Sequence, residues 1–248
     1  MTRELFATED ELAAALAERL CVAIAHRPSL VLGLPTGRTP LALYQHLREQ
    51  TRQGSIDWSE VTTVNLDEFV GLGANDPGSY RRFMSAHLFD HVNIDASHIG
   101  FLDGRAADLA AECARYDRAI ASAGGLDVLI LGIGANGHVG FNEPGEALIA
   151  ATHRATLDEP TRAANAMWFG GDLRQVPRHA LTMGMASILS SRAIVLMATG
   201  EGKAEVVRDM LEGGVTTTLP ASFLQLHPRT TVMLDEPAAG ELTAGRSD

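Results

Sequence analysis

The 248-residue chain has only two cysteines, Cys21 and Cys113, in separate helical patterns and without paired or metal-ligand spacing. That excludes a disulfide framework and a cysteine-held metal. Two buried free thiols in a reducing compartment, the cytoplasm, are expected instead. Long apolar runs are absent too: nothing approaches the roughly 18 residues a membrane helix needs. Positive charge is scarce. The chain carries 20 Lys and Arg against 31 Asp and Glu, a net charge of −11, and no basic cluster exceeds two residues. Neither nucleic acid nor an anionic membrane is therefore expected as a partner. The opening MTRELFATEDELAAAL is acidic and amphipathic, whereas an export signal is basic and then apolar.

What is present is a globular composition, 46% apolar and 21% charged. A domain of this length buries about three quarters of its extended-chain surface, so one core suffices. Five short apolar or β-branched runs read as buried parallel strands: Leu30–Leu34, Val61–Leu66, Leu126–Gly132, Ala193–Ala198 and Thr230–Leu234. Helical patterns alternate with them. The first starts at Thr8 with Glu11 in capping-box spacing, and others cover Pro40–Thr51, Tyr80–Asp90, Ala106–Ala123, His179–Ser190 and Gly202–Glu212. Such alternation predicts α/β architecture: a doubly wound, mostly parallel sheet between helical layers. No repeat, low-complexity tract or linker divides the chain, so a single domain over 1–248 is expected.

The segments following the strands gather at the carboxyl edge of such a sheet, where ligands bind. They bring together Thr36, Gly37, Arg38 and Thr39 (PTGRTP), Asp67 and Glu68 (DEF), Gly134, Asn136, His138 and Glu143 (IGANGHVGFNEPG), and Lys203 (TGEGK). Gly132, Gly134 and Gly137 match the G-x-G-x-x-G dinucleotide spacing. That fingerprint needs a helix opening at the third glycine. Here Gly140, Pro144 and Gly145 follow and interrupt any helix, so a loop is expected. PTGRTP is no Walker A loop, but like TGEGK it joins a strand to a helix and carries a cation, which suits a phosphate cradle.

Asp67 and Glu68 fit two readings: a helix N-cap with an acidic first turn, or a desolvated general base facing the cleft. His138, with Glu143 five residues on and Asn136 two before, suits a carboxylate-oriented imidazole. No HExxH, second ligand-spaced histidine or G-x-S-x-G occurs, which argues against a metal centre and a serine nucleophile. A base, an oriented histidine and a phosphate cradle fit acid–base chemistry on a small-molecule sugar phosphate.

LGLPTGRTP, NLDEFVGL, SYRRFM, GIGANGHVGFNEPG, ALTMG, LQLHP and DEP, colinear from Leu32 to Glu236, together resemble the glucosamine/galactosamine-6-phosphate isomerase family, specifically its glucosamine-6-phosphate deaminases. The resemblance implies a three-layer, modified Rossmann-like fold. It also implies an aldose–ketose isomerisation coupled to loss of ammonia, giving fructose 6-phosphate. By motif position Asp67 looks like the base moving a proton between C2 and C1. His138, supported by Glu143 and oriented by Asn136, looks like the ring-opening catalyst. The PTGRTP segment and Lys203 would bind phosphate, and no cofactor or metal is implied. Two positions depart from the pattern. Met167 stands where many members place a phosphate-binding arginine, and Arg38 replaces a small residue. Either Arg38 supplies the guanidinium, or the chain takes a different or unphosphorylated sugar. His153 and Ala155 replace the basic residues that bind an activator in larger members, so a monomer or small homo-oligomer without that control is expected. A same-fold 6-phosphogluconolactonase and a non-catalytic sugar-phosphate sensor are the competing readings.

Overall fold

The computed structural model describes residues 1–243; residues 244–248, which the single-domain expectation also covered, lie outside the described residues. In chain order the strands are β1 (Thr2–Phe6), β2 (Val31–Leu34), β3 (Thr62–Asn65), β4 (Asp67–Phe69), β5 (Ile99–Gly100), β6 (Val128–Leu131), β7 (His153–Thr156), β8 (His179–Thr182), β9 (Ile194–Ala198) and β10 (Thr230–Asp235). The α-helices are α1 (Glu9–His26), α2 (Leu41–Arg52), α3 (Tyr80–His87), α4 (Leu109–Ser122), α5 (Glu159–Asn165), α6 (Met185–Leu189) and α7 (Ala204–Glu212). Seven strands form one parallel sheet in the order β1-β10-β9-β6-β2-β3-β5. From β2 the chain winds one way through β3 and β5. From β6 it winds the other way through β9 and β10. The reversal falls between β2 and β6, which places the crevice beside PTGRTP and IGANGH.

Burial explains why these runs are strands. Successive side chains of β6, β9 and β10 alternate between two cores: Leu129, Leu131, Leu196, Ala198, Val232 and Leu234 pack on one face. Ile130, Met197 and Met233 pack on the other, with α1 and α2. A sheet covered on both sides keeps every position apolar, hence continuous hydrophobic runs. All five expected strands are present. At the start of α1, Thr8 Oγ1 accepts from Glu11 N at 3.2 Å, as the capping spacing implied.

Three features differ from the sequence reading. The N-terminal segment adds a strand, β1, on the edge beside β10; its TRELF pattern is too short and too charged to signal one. A second, antiparallel sheet, β4-β8-β7, flanks the first. Its strands are three or four residues long and packed around Phe69, Phe141, Leu157 and Ala180. The expected helix His179–Ser190 is instead β8 followed by the one-turn helix α6. Between them, at Gly184, the backbone passes against Ala150 and Ala151. Met185 N and Ala186 N donate to the Ile149 and Ala150 carbonyls at 3.1 and 2.9 Å. A Cβ on Gly184 would lie 2.1 Å from the Ala151 carbonyl oxygen. Tertiary pairing with β4 and β7 thus overrides the local helical pattern.

Gly184→Ala should therefore destabilise the protein by about 2 kcal/mol, lowering Tm by roughly 4–8 °C. Scanning calorimetry of the two proteins measures this, and an unchanged Tm would mean the backbone contact relaxes freely.

Candidate active site

The carboxyl ends of β2, β3 and β6, the turn after β9 and the segment 160–168 enclose a cavity of about 410 Å³. Of the eleven residues singled out from the sequence, nine line it: Thr36, Gly37, Arg38, Thr39, Asp67, Gly134, Asn136, His138 and Lys203. Glu143 stands behind His138. Glu68 is turned away from the cavity.

Asp67 is where the chain leaves the parallel sheet and enters the antiparallel one, its Cα paired with Thr182. The carboxyl is only 5% exposed. Burial first, and the neighbouring Glu68 carboxylate second, raise its pKa to about 8. Glu68 points the other way and accepts from Phe69 N, Tyr80 N, Arg81 N and Ser79 Oγ at 2.8–3.0 Å. It holds the start of α3, so the expectation of a ligand-binding Glu68 is corrected to a structural one. The N-cap reading fails, because both residues lie in β4 and Ser79 caps α3; Asp67 alone faces the cavity. The pleat sends adjacent side chains to opposite faces.

The loop after β6 runs to the start of β7 at His153 without a helix, so the dinucleotide geometry is absent. Instead Gly134 N donates to the His138 carbonyl at 2.9 Å and Gly137 N to the Gly134 carbonyl at 3.0 Å, a tight turn. A Cβ on Gly134 would sit 2.2 Å from His138 Cε1, so only glycine leaves room for the ring. His138 Nδ1 is 2.7 Å from Asn136 Oδ1 and 3.4 Å from Glu143 Oε2. Those oxygens accept, so Nδ1 carries the proton and Nε2 offers a lone pair. Asn136 Nδ2 donates to Glu143 Oε2 at 2.8 Å. Burial raises the Glu143 carboxyl's pKa, but hydrogen bonds and charge from His138, then Thr161 and Asn136, outweigh it and hold it below its ordinary value.

Two cations, Arg38 and Lys203, also line the cavity. Thr36–Pro40 precede α2, whose N-terminus has no side-chain cap, leaving the turn's N–H groups free to meet an anion. The Tyr44 hydroxyl braces this turn by donating to the Pro35 carbonyl. Lys203 donates from Nζ to the Ile133 carbonyl at 2.7 Å, tying the β9 turn to the β6 loop. Burial, then repulsion from Arg38, lower its pKa. Neither cation has a carboxylate partner among the described residues.

Sequence reasoning missed six further lining residues. Tyr80, Pro160, Thr161, Ala164, Asn165 and Trp168 line the cavity beside Met167, which is 55% exposed. Thr161 and Asn165 are four apart on α5 and so share a face; polar spacing within TRAAN was the available signal. His153 and Ala155 lie on β7, outside the lining. Among the described residues no three His, Cys, Asp or Glu cluster as a metal site, and no helix is long and apolar enough to cross a membrane.

A model of the family described as glucosamine-6-phosphate isomerases/6-phosphogluconolactonase matches residues 4–233. The glucosamine-6-phosphate deaminase of Clostridium perfringens is 45% identical over 230 residues, 93% of this chain and 95% of that one. The Streptomyces coelicolor glucosamine-6-phosphate deaminase is 44% identical over 227 residues, covering 92% and 87%. A solved monomeric glucosamine-6-phosphate deaminase superposes with a TM-score of 0.94 at 43% identity, covering 97% of this chain and all of that one. A Leishmania guyanensis 6-phosphogluconolactonase, 22% identical with a TM-score of 0.73, shares the fold.

Asp67 supplies a pH test. Its folded pKa of about 8 exceeds the ordinary 3.8. The folded state thus keeps a proton that the unfolded chain releases. That contribution is complete below pH 4 and lost as pH climbs to 8. Asp67→Asn cannot ionise, so its Tm relative to the unaltered protein should rise by several degrees from pH 5 to 8 and then level off. Melting curves of the ligand-free proteins across that range check this; a pH-independent offset would contradict it.

Proposed function

The chain belongs to the glucosamine-6-phosphate isomerase/6-phosphogluconolactonase family, and we propose that it converts glucosamine 6-phosphate and water to fructose 6-phosphate and ammonia. The observation that carries this reading is one cavity lined by a desolvated carboxylate, an oriented imidazole and two cations.

Each step needs only proton transfers and water. The free Nε2 of His138 takes the anomeric hydroxyl proton and returns it to the ring oxygen, opening the sugar. The resulting imidazolium is stabilised by Glu143, whose lowered pKa keeps it ionised. Asp67 then removes the C2 proton while the C2 ammonium passes one proton to O1, and the resulting enolamine takes the C2 proton back from Asp67 at C1. The double bond shifts to C2=N, and water displaces ammonia to leave the ketose. Before substrate binds, Asp67 is mostly protonated at pH 7. The substrate's C2 ammonium, docked nearby, favours the carboxylate, because an opposite charge within 4–6 Å lowers such a pKa by about 1–3 units. The amino sugar thereby helps to ionise its own base. No electron changes hands, so the reading requires no redox cofactor. Phosphate is held by the Thr36–Thr39 turn, Lys203 and Arg38. Arg38 provides the guanidinium that Met167 cannot. The solved relative at 43% identity is a monomeric deaminase, which suits a monomer here, and two free thiols and a metabolite substrate suit the cytoplasm.

Incubation of the purified protein with glucosamine 6-phosphate and no added metal should release ammonia and ketose phosphate. Opening of 6-phosphogluconolactone without ammonia from the amino sugar would point to a lactonase, and binding without turnover to a sensor. Asp67→Asn should abolish exchange of the C2 proton while retaining ligand binding, and persistent exchange would remove Asp67 as the base.

Arg38→Ala should raise KM for glucosamine 6-phosphate by about 10- to 100-fold, the loss of one charge-assisted bond of roughly 1.5–3 kcal/mol. KM for unphosphorylated glucosamine should stay unchanged. Equal effects on both sugars would make Arg38 structural.

A further inference from the structure

TGEGK, residues 199–203, is expected from sequence to help cradle an anion, yet of this turn only Lys203 lines the cavity. The backbone of the turn is engaged instead by a carboxylate of the chain itself. Asp235, the last residue of β10, is 5% exposed. Gly200 N donates to both of its carboxylate oxygens at 3.0 Å, and Ala238 N donates to Oδ1 at 2.9 Å. The Gly200 carbonyl accepts from Lys203 N at 3.0 Å, and Lys203 Nζ reaches across to the Ile133 carbonyl at 2.7 Å. Every link from the carboxylate to the ammonium is thus a hydrogen bond of ordinary length.

We infer that Asp235 is a positioning residue for phosphate recognition: its carboxylate seats the 199–203 turn so that the Lys203 ammonium is delivered to the cavity. This rests on the deaminase reading and gives the DEP segment, which that reading leaves without a role, a part in substrate binding. The turn has no cap of its own, since both its 3-10 segment Glu201–Lys203 and the following α7 begin without a side-chain hydrogen bond. Gly200 stands at φ 85° and ψ 152°, which carries the chain off β9 just after Ala198 has paired with Leu234. A turn of this kind presents N–H groups to an anion, and the Asp235 carboxylate fills that seat as a phosphate would. Asp235 is itself held to the sheet: its Cα pairs with Phe6 of β1, and Glu236 N donates to the Phe6 carbonyl at 2.9 Å. Among the described residues no ion pair joins Asp235 to Lys203, so the ammonium keeps its charge for the substrate.

Removing the carboxylate has two effects of opposite sign. Taking away a negative charge favours an anion in the cavity, but salt screens that effect. Letting the ammonium leave its seat forfeits a charge-assisted hydrogen bond, which costs about tenfold in affinity. The second effect is the larger, so phosphate binding weakens where charge alone would strengthen it.

Asp235→Asn tests this, because it keeps the shape and one acceptor oxygen but sets an amide donor against the Gly200 N–H. With glucosamine 6-phosphate, KM should rise about tenfold while kcat stays within about twofold, and the inhibition constant of inorganic phosphate should rise by the same factor as KM. In a Lys203→Met background the substitution should change neither constant further, because the contact it disturbs is already gone. A part confined to folding would instead lower Tm and kcat and leave phosphate inhibition as it was. An NMR titration of the unaltered protein with inorganic phosphate needs no substitution: the Lys203 side-chain signals should shift and the Gly200 amide should not. The inference is overturned if phosphate binds Asp235→Asn as tightly as the unaltered protein or more tightly. It is equally overturned if the loss adds to that of Lys203→Met, or if phosphate moves the Gly200 amide signal as strongly as those of Lys203. Absence of ammonia from glucosamine 6-phosphate would overturn the deaminase reading and leave the phosphate titration to be read by itself.

Discussion

The site depends on keeping one carboxylate out of water. Asp67 occupies the corner where β3 ends and β4 begins, and its backbone is committed to pairing with Thr182. That pairing dictates which way the side chain projects, and the dry surroundings then set its basicity. The adjacent Glu68 shows what the same functional group becomes when donors are provided. Three backbone N–H groups and a serine hydroxyl engage it, and it serves as the anchor of α3. Its charge also reaches Asp67 and adds to the upward shift. A hydrogen-bonded carboxylate thus raises the pKa of its buried neighbour, the two taking opposite faces of one strand.

The imidazole end follows a related logic with a neutral intermediary. Asn136 accepts from His138 Nδ1 and donates to Glu143, using both ends of its amide. A carboxylate in that place would offer no donor and would set a second negative charge beside Glu143. With the amide, one carboxylate remains beside the ring, and the imidazole keeps the tautomer that exposes Nε2. The glycine at 134 supplies the space for the ring. The spacing that imitates a dinucleotide fingerprint is therefore, in physical terms, a socket for a histidine.

The sequence made the parallel sheet legible because strands buried on both faces must be continuously apolar. It made the site legible because the chemistry-bearing residues follow strand ends. Nine of eleven expected residues reach one cavity for that reason. The antiparallel sheet escaped because β4, β7 and β8 are short and mixed in polarity, and because His179–Leu189 alternates no better as strand than as helix. Glu68 could not be separated from Asp67 without knowing which face each takes. Tyr80, Thr161 and Asn165 escaped for a different reason. Tyr80 reaches Asn165 through a hydrogen bond between elements about 80 residues apart, a relation that no local window contains, and the polar spacing of Thr161 and Asn165 within TRAAN is too short a signal by itself.

Charge placement accounts for how a chain of net charge −11 accepts an anion. Arg38 and Lys203 both stand on strand-to-helix turns of the main sheet, braced by Tyr44 and by the Ile133 carbonyl. The anion pole is thus part of the rigid core. The covering segment contributes Pro160, Ala164, Met167 and Trp168 and, as hydrogen-bonding side chains, only Thr161 and Asn165. An arginine on the cover would bind phosphate and draw the cover down by charge. With Met167 there, the polar contacts this segment offers the cavity are neutral ones, which are shorter-ranged and far more directional than a charge.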